Sequence, residues 1–229
     1  MRETMKYLCE NIQGCVLGYH QSDEITLILV DYKNLNSDAW FDYEVQKMCS
    51  IASSMATMAF NKFFSDEVNN FRNRMSYDDD GYLDKEEYKL FTAYNKAKDK
   101  GAMFDARVFN IPKEEVTNLL YWRQLDAVRN SIQMVGQANF SHKELHGKSC
   151  NMIQNMLLTE KDVNWNDFPT HQKRGSCCVK SNTTITGATV LDNGEVETTS
   201  IERPHWYIDD EIPIFKGAGR EYIDKLIFI

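Results

Sequence analysis

Gln21-Ser22-Asp23-Glu24 puts two adjacent carboxylates, a hydroxyl and an amide into four consecutive residues. Carboxylates hold hard cations such as Mg2+, and turn N–H groups beside a hydroxyl form a nest for phosphate oxygens. The segment lies between two β-prone runs, Cys15 to Tyr19 and Ile25 to Val30, and reads as the tight turn (His20 to Asp23) of a hairpin. Successive side chains of a strand point to opposite faces, so Asp23 and Glu24 are not expected to reach one ligand together through extended backbone. A solvated acidic turn has the same spacing, and spacing alone does not separate the two readings.

Further along, Lys47, Ser50 and Ser54 fall at i, i+3 and i+7 of a helical segment and share one face, as a phosphate-binding wall or as an exposed polar stripe. Arg107 stands in Phe104-Asp105-Ala106-Arg107-Val108-Phe109 on the same pleat face as Asp105. A guanidinium there can bind phosphate bidentately or pair with its neighbouring acid. Arg123, Asp126 and Asn130, at i, i+3 and i+7, make a polar wall on another helix. Lys173-Arg174-Gly175, with His142, Lys143 and Lys148, offers charge for RNA backbone, although basic loop residues are commonly only solvated. Ser76 to Glu87 nearly fits a calcium loop, with Asp78, Asp80, Gly81, Leu83 and Glu87 in place and Ser76 where an Asp is usual. An acidic insertion loop is the preferred reading, since Ser76 replaces the usual first Asp and no second loop is present to pair with it.

Four of these segments together carry a resemblance. Tyr19-x-Gln21-Ser22-Asp23-Glu24, Phe104 to Phe109, Trp122-Arg123-Gln124-x-Asp126-Ala127 with Asn130, and Lys173-Arg174-Gly175 resemble, in order and separation, motifs of the tRNA(His) guanylyltransferases and their bacterial and archaeal relatives. The likeness covers roughly residues 5 to 215. It implies a polymerase-like palm in which two Mg2+ ions bridge carboxylates and a nucleoside triphosphate. Asp23 would be a metal ligand and Glu24 its neighbouring acid, both catalytic. Ser22 and Lys47 would contact the triphosphate, and Arg107 the 5′ end or its activating nucleotide. Arg123, Asn130, Lys173 and Arg174 would meet tRNA. The implied reaction extends the 5′ end of tRNA, activating a 5′-monophosphate with ATP or GTP before the 3′-hydroxyl of GTP attacks. The family also implies a homotetramer, and the scattered cysteines make a cytoplasmic protein with reduced thiols the expectation. Val128 stands where eukaryotic members typically carry a histidine, which favours the bacterial and archaeal repair-type branch.

The elements that would position these groups follow from periodicity. A helix opens the chain on Met5, Leu8 and Ile12, and the acidic hairpin follows. A long amphipathic helix is expected from Phe41 to about Phe64, with Val45, Met48, Ala52, Met55, Ala59 and Phe63 buried. A second helix carries Tyr88, Leu90 and Phe91, Phe104 to Ile111 alternates as a strand, and Pro112 opens a helix running to about Val135. Ser141 and Glu144 fit a capping box, Gly147 interrupts, and Ser149 restarts a helix. Asp192-Asn193-Gly194 marks a C-terminal hairpin, and Arg220 to Leu226 a last helix. Without a regular βαβ cadence or a GxGxxG, the expected class is α+β: a mostly antiparallel palm sheet flanked by helices, plus a C-terminal β-hairpin region. The expected division is a palm-like domain over 1–135 and a helical and hairpin region over 136–229.

Composition sets outer limits. The 229 residues are 42% hydrophobic and 26% charged, with six scattered cysteines and no CxxC pair, so a zinc site and a disulfide framework are not expected. Leu27 to Val30 is the longest strictly apolar run, far short of a membrane span. A net charge of −8 means that a nucleic-acid partner needs a local basic surface or metal ions. The other metal carboxylate implied by the resemblance, on an Arg-Ile/Leu-Asp-Gly strand, has no equivalent here. Asp31, eight residues from Asp23, lies about 26 Å away along extended chain, whereas paired metals sit about 4 Å apart. An N-terminally shortened chain is therefore expected. It is either a tRNA guanylyltransferase-like enzyme or a catalytically silent nucleotide- and tRNA-binding remnant, with a calcium-binding interaction protein as a third reading.

Overall fold

The computed structural model describes residues 1–76, 83–190 and 196–228. Its centre is a four-stranded antiparallel sheet of β1 (Cys15–Gln21), β2 (Glu24–Leu29), β3 (Ser176–Val190) and β4 (Val196–Asp209), in the order β2-β1-β3-β4. The sheet thus takes two strands from each end of the chain, and the class is α+β. Helix α1 (Arg2–Asn11) lies on one face, burying Met5, Leu8 and Cys9. Gly18 permits that approach: a β-carbon there would stand 2.5 Å from Cys9 Sγ and 2.8 Å from Met5 Cγ. On the other face Leu17 and Tyr19 pack with Val116, Leu120, Phe215 and Ile223, carried largely by α4 (Val116–Asn139) and α8 (Glu221–Ile227).

Helix α2 (Val45–Arg74) starts later and ends later than the periodicity suggests. Phe41, Asp42 and Tyr43 take φ of 52°, 50° and 61°, a left-handed turn that a right-handed helix cannot include. Val45 is exposed, while Met48 and Ala59 are buried as expected. Helix α3 (Lys85–Lys100), capped by Asp84, packs back on α2 through Phe64, Phe71 and Tyr94. Helices α5 (His142–Leu145), α6 (Cys150–Lys161) and α7 (Thr170–Arg174) complete the C-terminal half. The Ser141–Glu144 capping box is present, and Ser149 caps α6 by accepting from Met152 N–H.

Phe104 to Ile111 does not form the expected strand. Exposure alternates along it, with Phe104, Ala106 and Val108 partly buried and Asp105, Arg107 and Phe109 exposed, so the period of two is real. It belongs to extended backbone that pairs with no strand among the described residues. Asp192-Asn193-Gly194 lies outside the described residues. The strands on either side of it pair from Cys177↔Asp209 to Val190↔Val196 and run well beyond the four residues of β3 that meet β1. Among the described residues no helix is long and apolar enough to cross a membrane.

Candidate active site

The β1–β2 turn is a two-residue connection, Ser22-Asp23, closed by the pair Gln21↔Glu24. Ser22 takes φ of 50°, the left-handed geometry such turns need. His20 Nε2–H donates to the Ser22 carbonyl at 2.9 Å, which fixes the tautomer and leaves Nδ1 buried with no partner among the described residues. Burial holds His20 below the usual histidine range, partly offset by that bond to Ser22.

Glu24 is gripped from two sides. Arg123 Nη1, on α4, donates to Glu24 Oε2 at 2.8 Å, and Gln21 Nε2 donates to the same oxygen at 3.0 Å. Gln21 is buried, and its Oε1 has no partner among the described residues. The polar wall of α4 is therefore split: Arg123 serves the hairpin, while Asn130 donates to Asp126 at 3.1 Å one turn on. Gln124, between them in sequence, is buried and anchors the C-terminal loop, donating to Pro213 O and accepting from Phe215 N–H.

Asp23, Glu24, Arg107 and Arg123 line one groove of about 700 Å3 along the free edge of β2. Asp23 and Glu24 both reach it because Asp23 belongs to the turn, where the strict alternation of a strand does not apply. Arg107 pairs with Asp105 at 3.5 Å in a fully wetted setting, where such a pair stabilises little and leaves the guanidinium accessible. Asp31 borders the same groove and accepts from Tyr43.

The remaining candidates lie elsewhere. Lys47 is exposed above the Phe41 ring, 4.7 Å from its centroid, and Ser50 and Ser54 hydrogen-bond to carbonyls of their own helix. Lys173 Nζ donates to Asn166 O at 2.6 Å and sits over Trp165. The Arg174 carbonyl accepts from Tyr19 O–H at 2.7 Å, so this basic turn is tied directly to the strand that leads into the acidic one. Neither that bond nor the clamp on Glu24 was assigned from sequence; the joint occurrence of the two motifs in one chain was the available signal.

The resemblance implies two Mg2+ ions, and the carboxylates near the hairpin are the donors available to them. Among the described residues no group of three His, Cys, Asp or Glu side chains is placed to hold a metal ion. Glu24 is committed to Arg123 and Gln21, which leaves Asp23 as the turn carboxylate without an ion-pair partner among those residues. These residues do not by themselves make a two-ion site. For calcium, Asp78, Asp80 and Gly81 lie outside the described residues, and Glu87 accepts from Ser76 N–H at 2.7 Å.

Fold and groove together define an antiparallel α+β sheet protein whose acidic hairpin is clamped to a neighbouring helix, and comparisons with known proteins give it a family. The family model for tRNAHis guanylyltransferase matches residues 1–112. A bacterial tRNA(His) guanylyltransferase-like protein, solved in complex with ATP, is 33% identical with a TM-score of 0.70; the match covers 99% of this chain and 77% of that one. A GTP complex of a bacterial protein of that description matches at 32% identity and a TM-score of 0.64, over 99% of this chain and 76% of that one. An uncharacterized protein of Acanthamoeba polyphaga mimivirus is 31% identical over 174 residues, 71% of this chain. The chain spans about half, 54%, of that curated relative's length. The chain belongs to the tRNA(His) guanylyltransferase family.

Proposed function

We propose that this chain binds a nucleoside triphosphate and the 5′ end of a tRNA at the hairpin groove, and takes part in guanylyltransferase-type 5′ extension. The observation that carries the reading is the clamp on Glu24. Arg123 and Gln21 fix the acidic turn beside a groove that also exposes Asp23 and Arg107. The bacterial relatives solved with ATP and with GTP supply the ligand class.

In this reading the turn amides and Ser22 receive phosphate oxygens, and Arg107 adds a planar fork for the 5′-phosphate. The reaction is two displacements at phosphorus. A 5′-phosphate oxygen attacks the α-phosphorus of ATP or GTP and pyrophosphate leaves; the 3′-hydroxyl of GTP then attacks the activated 5′-phosphorus and the nucleoside monophosphate leaves. Growth runs 3′ to 5′. Mg2+ dependence belongs to the proposal through Asp23 alone, and no step is routed through the ions, because the described carboxylates do not complete their site.

The test is GTP-dependent extension of a 5′-truncated tRNA, read on a sequencing gel, with Asp23→Ala as the loss-of-function variant. Extension that survives Asp23→Ala refutes the assigned role. The incomplete donor set favours a second reading, a nucleotide- and tRNA-binding protein without turnover. That reading predicts GTP and tRNA binding with no product, and detectable extension by this chain overturns it.

A further inference from the structure

We infer that Cys9, Cys15 and Cys178 form an oxidation site in which a peroxide reversibly makes one disulfide, with Cys9 as its constant half, that braces α1 to the central sheet. The three thiols come from three elements: Cys9 from α1, Cys15 from the start of β1 and Cys178 from β3. Pairing within the sheet brings them together. Cys178 is paired with Gly18, so its side chain rises on the face where Gly18 has none. Cys9 Sγ fills that space, 2.5 Å from where a β-carbon of residue 18 would stand. Cys15 lies three residues before Gly18, and strict alternation would send it to the opposite face. A β-bulge between Cys15 and Leu17 restores the parity: Cys15 pairs with Leu29 and Gly18 with Leu27, two positions apart on β2. One buried cluster therefore holds Cys9, Cys15 and Cys178 with Met5 and Trp206.

Position makes Cys9 the shared partner. Hydrogen bonds to the Cys15 and Cys178 thiols, together with burial, push the Cys9 thiol above the usual range. A thiol kept protonated and covered is inert while α1 is seated. Lifting of α1, which lies on the sheet through Met5, Leu8 and Cys9, admits the oxidant. The Cys9 sulfur attacks one peroxide oxygen, the O–O bond breaks, and a sulfenic acid and water form; a neighbouring thiol then attacks the sulfenic sulfur and expels a second water. Two thiols lose two electrons and two protons, and the peroxide becomes two waters. The third thiol stays reduced beside the bond, placed for thiol–disulfide exchange. Cys177 is fully buried but takes no part, since it faces the other side of the sheet with Tyr19 and Phe215. Among the described residues no three such side chains are placed to hold a metal ion, so the trio is read as a redox site. The inference stands apart from the catalytic reading, because none of the three lines the hairpin groove.

The test treats the full 229-residue chain with hydrogen peroxide under native conditions, blocks the remaining thiols by alkylation, and reads intact mass and peptide maps. One disulfide per chain is expected, seen as a loss of about 2 Da before alkylation. It should link Cys9 to Cys15 or to Cys178 and be reversed by a dithiol reductant. Cys9→Ala is expected to abolish it. Cys15→Ala and Cys178→Ala are each expected to keep it on the remaining partner, and the double variant to lose it. In the oxidised parent, amide exchange within Arg2–Asn11 is expected to slow about tenfold or more. A Cys15–Cys178 linkage, a linkage through Cys177, or a disulfide that persists in Cys9→Ala overturns the inference. A parent that keeps Cys9 reduced when Cys49 and Cys150 have been oxidised does the same, as does unchanged exchange in α1. The parent's own peptide map decides the linkage whether or not every variant folds.

Discussion

Replacing Gly175 by alanine tests the joint between the basic turn and the acidic hairpin. Gly175 ends α7 with φ of 87° and ψ of −174°, a region open essentially to glycine alone and costing other residues about 1–3 kcal/mol. A β-carbon there would also lie 2.4 Å from the His20 carbonyl oxygen and 2.9 Å from the Tyr19 ring. That oxygen belongs to a strand paired on both edges, so it cannot withdraw without disturbing His20↔Ser176 or His20↔Ile25. Overpacking of this kind adds about 1–3 kcal/mol. The total, about 4 kcal/mol, corresponds to a fall in Tm of about 8–16 °C for a chain of this size. Gly147→Ala is the control: φ is 71° but nothing lies within 4 Å, so only the left-handed penalty of about 1 kcal/mol applies. Thermal unfolding by circular dichroism reads both. Equal falls in Tm for the two variants would refute the argument, because the close approach to His20 would then contribute nothing. Gly175→Ala should also weaken GTP binding in calorimetry, since the bond from Tyr19 to Arg174 O is displaced along with the strand.

Arg123→Met should cost under about 1 kcal/mol of stability, since the pair is half exposed, yet raise the Kd for GTP by about tenfold through loss of Glu24 orientation; an unchanged Kd argues against the clamp. Gln124→Leu strands a buried N–H at Phe215 and a carbonyl at Pro213 and should cost about 2–4 kcal/mol in urea unfolding. Leu120→Ala, at a fully buried core position, should cost about 2–5 kcal/mol in the same measurement. His20 is held below its unfolded value by burial. The unfolded chain therefore takes up the proton first as pH falls, and stability present above about pH 6.5 is lost below it. The Tm of His20→Asn should fall less than that of the parent between pH 7.5 and 5.5, and parallel falls would remove His20 from that account.

The local features were legible because local chemistry made them. Ser141 and Glu144 complete a capping box within four residues, and the alternating runs around Ser22-Asp23 close a hairpin of two neighbouring strands. The errors arose where distant partners decide. Phe104 to Ile111 has a strand's alternation, but alternation records an extended chain and says nothing about whether a neighbour pairs with it. Apolar spacing starts the long helix at Phe41 because it cannot report the left-handed φ of residues 41–43. In the site, the residue types at the hairpin turn were readable, and the grip on Glu24 was not. Its guanidinium arrives from 99 residues away, and nothing in the residue type of Gln21 reports that its amide is buried and shares the grip.

The sheet order also governs when the molecule can fold. β1 and β2 are neighbours in sequence, but the other edge of β1 waits for β3, and the bond from Tyr19 to Arg174 spans 155 residues. A nascent chain holding only the first hairpin has a two-stranded ribbon, marginal in water, with Leu17 and Tyr19 uncovered. The central sheet closes only after Ser176 to Val179 have been synthesised, so folding is committed late and at high contact order. This topology predicts refolding slower than that of a helical bundle of similar length, independently of whatever chemistry the groove performs.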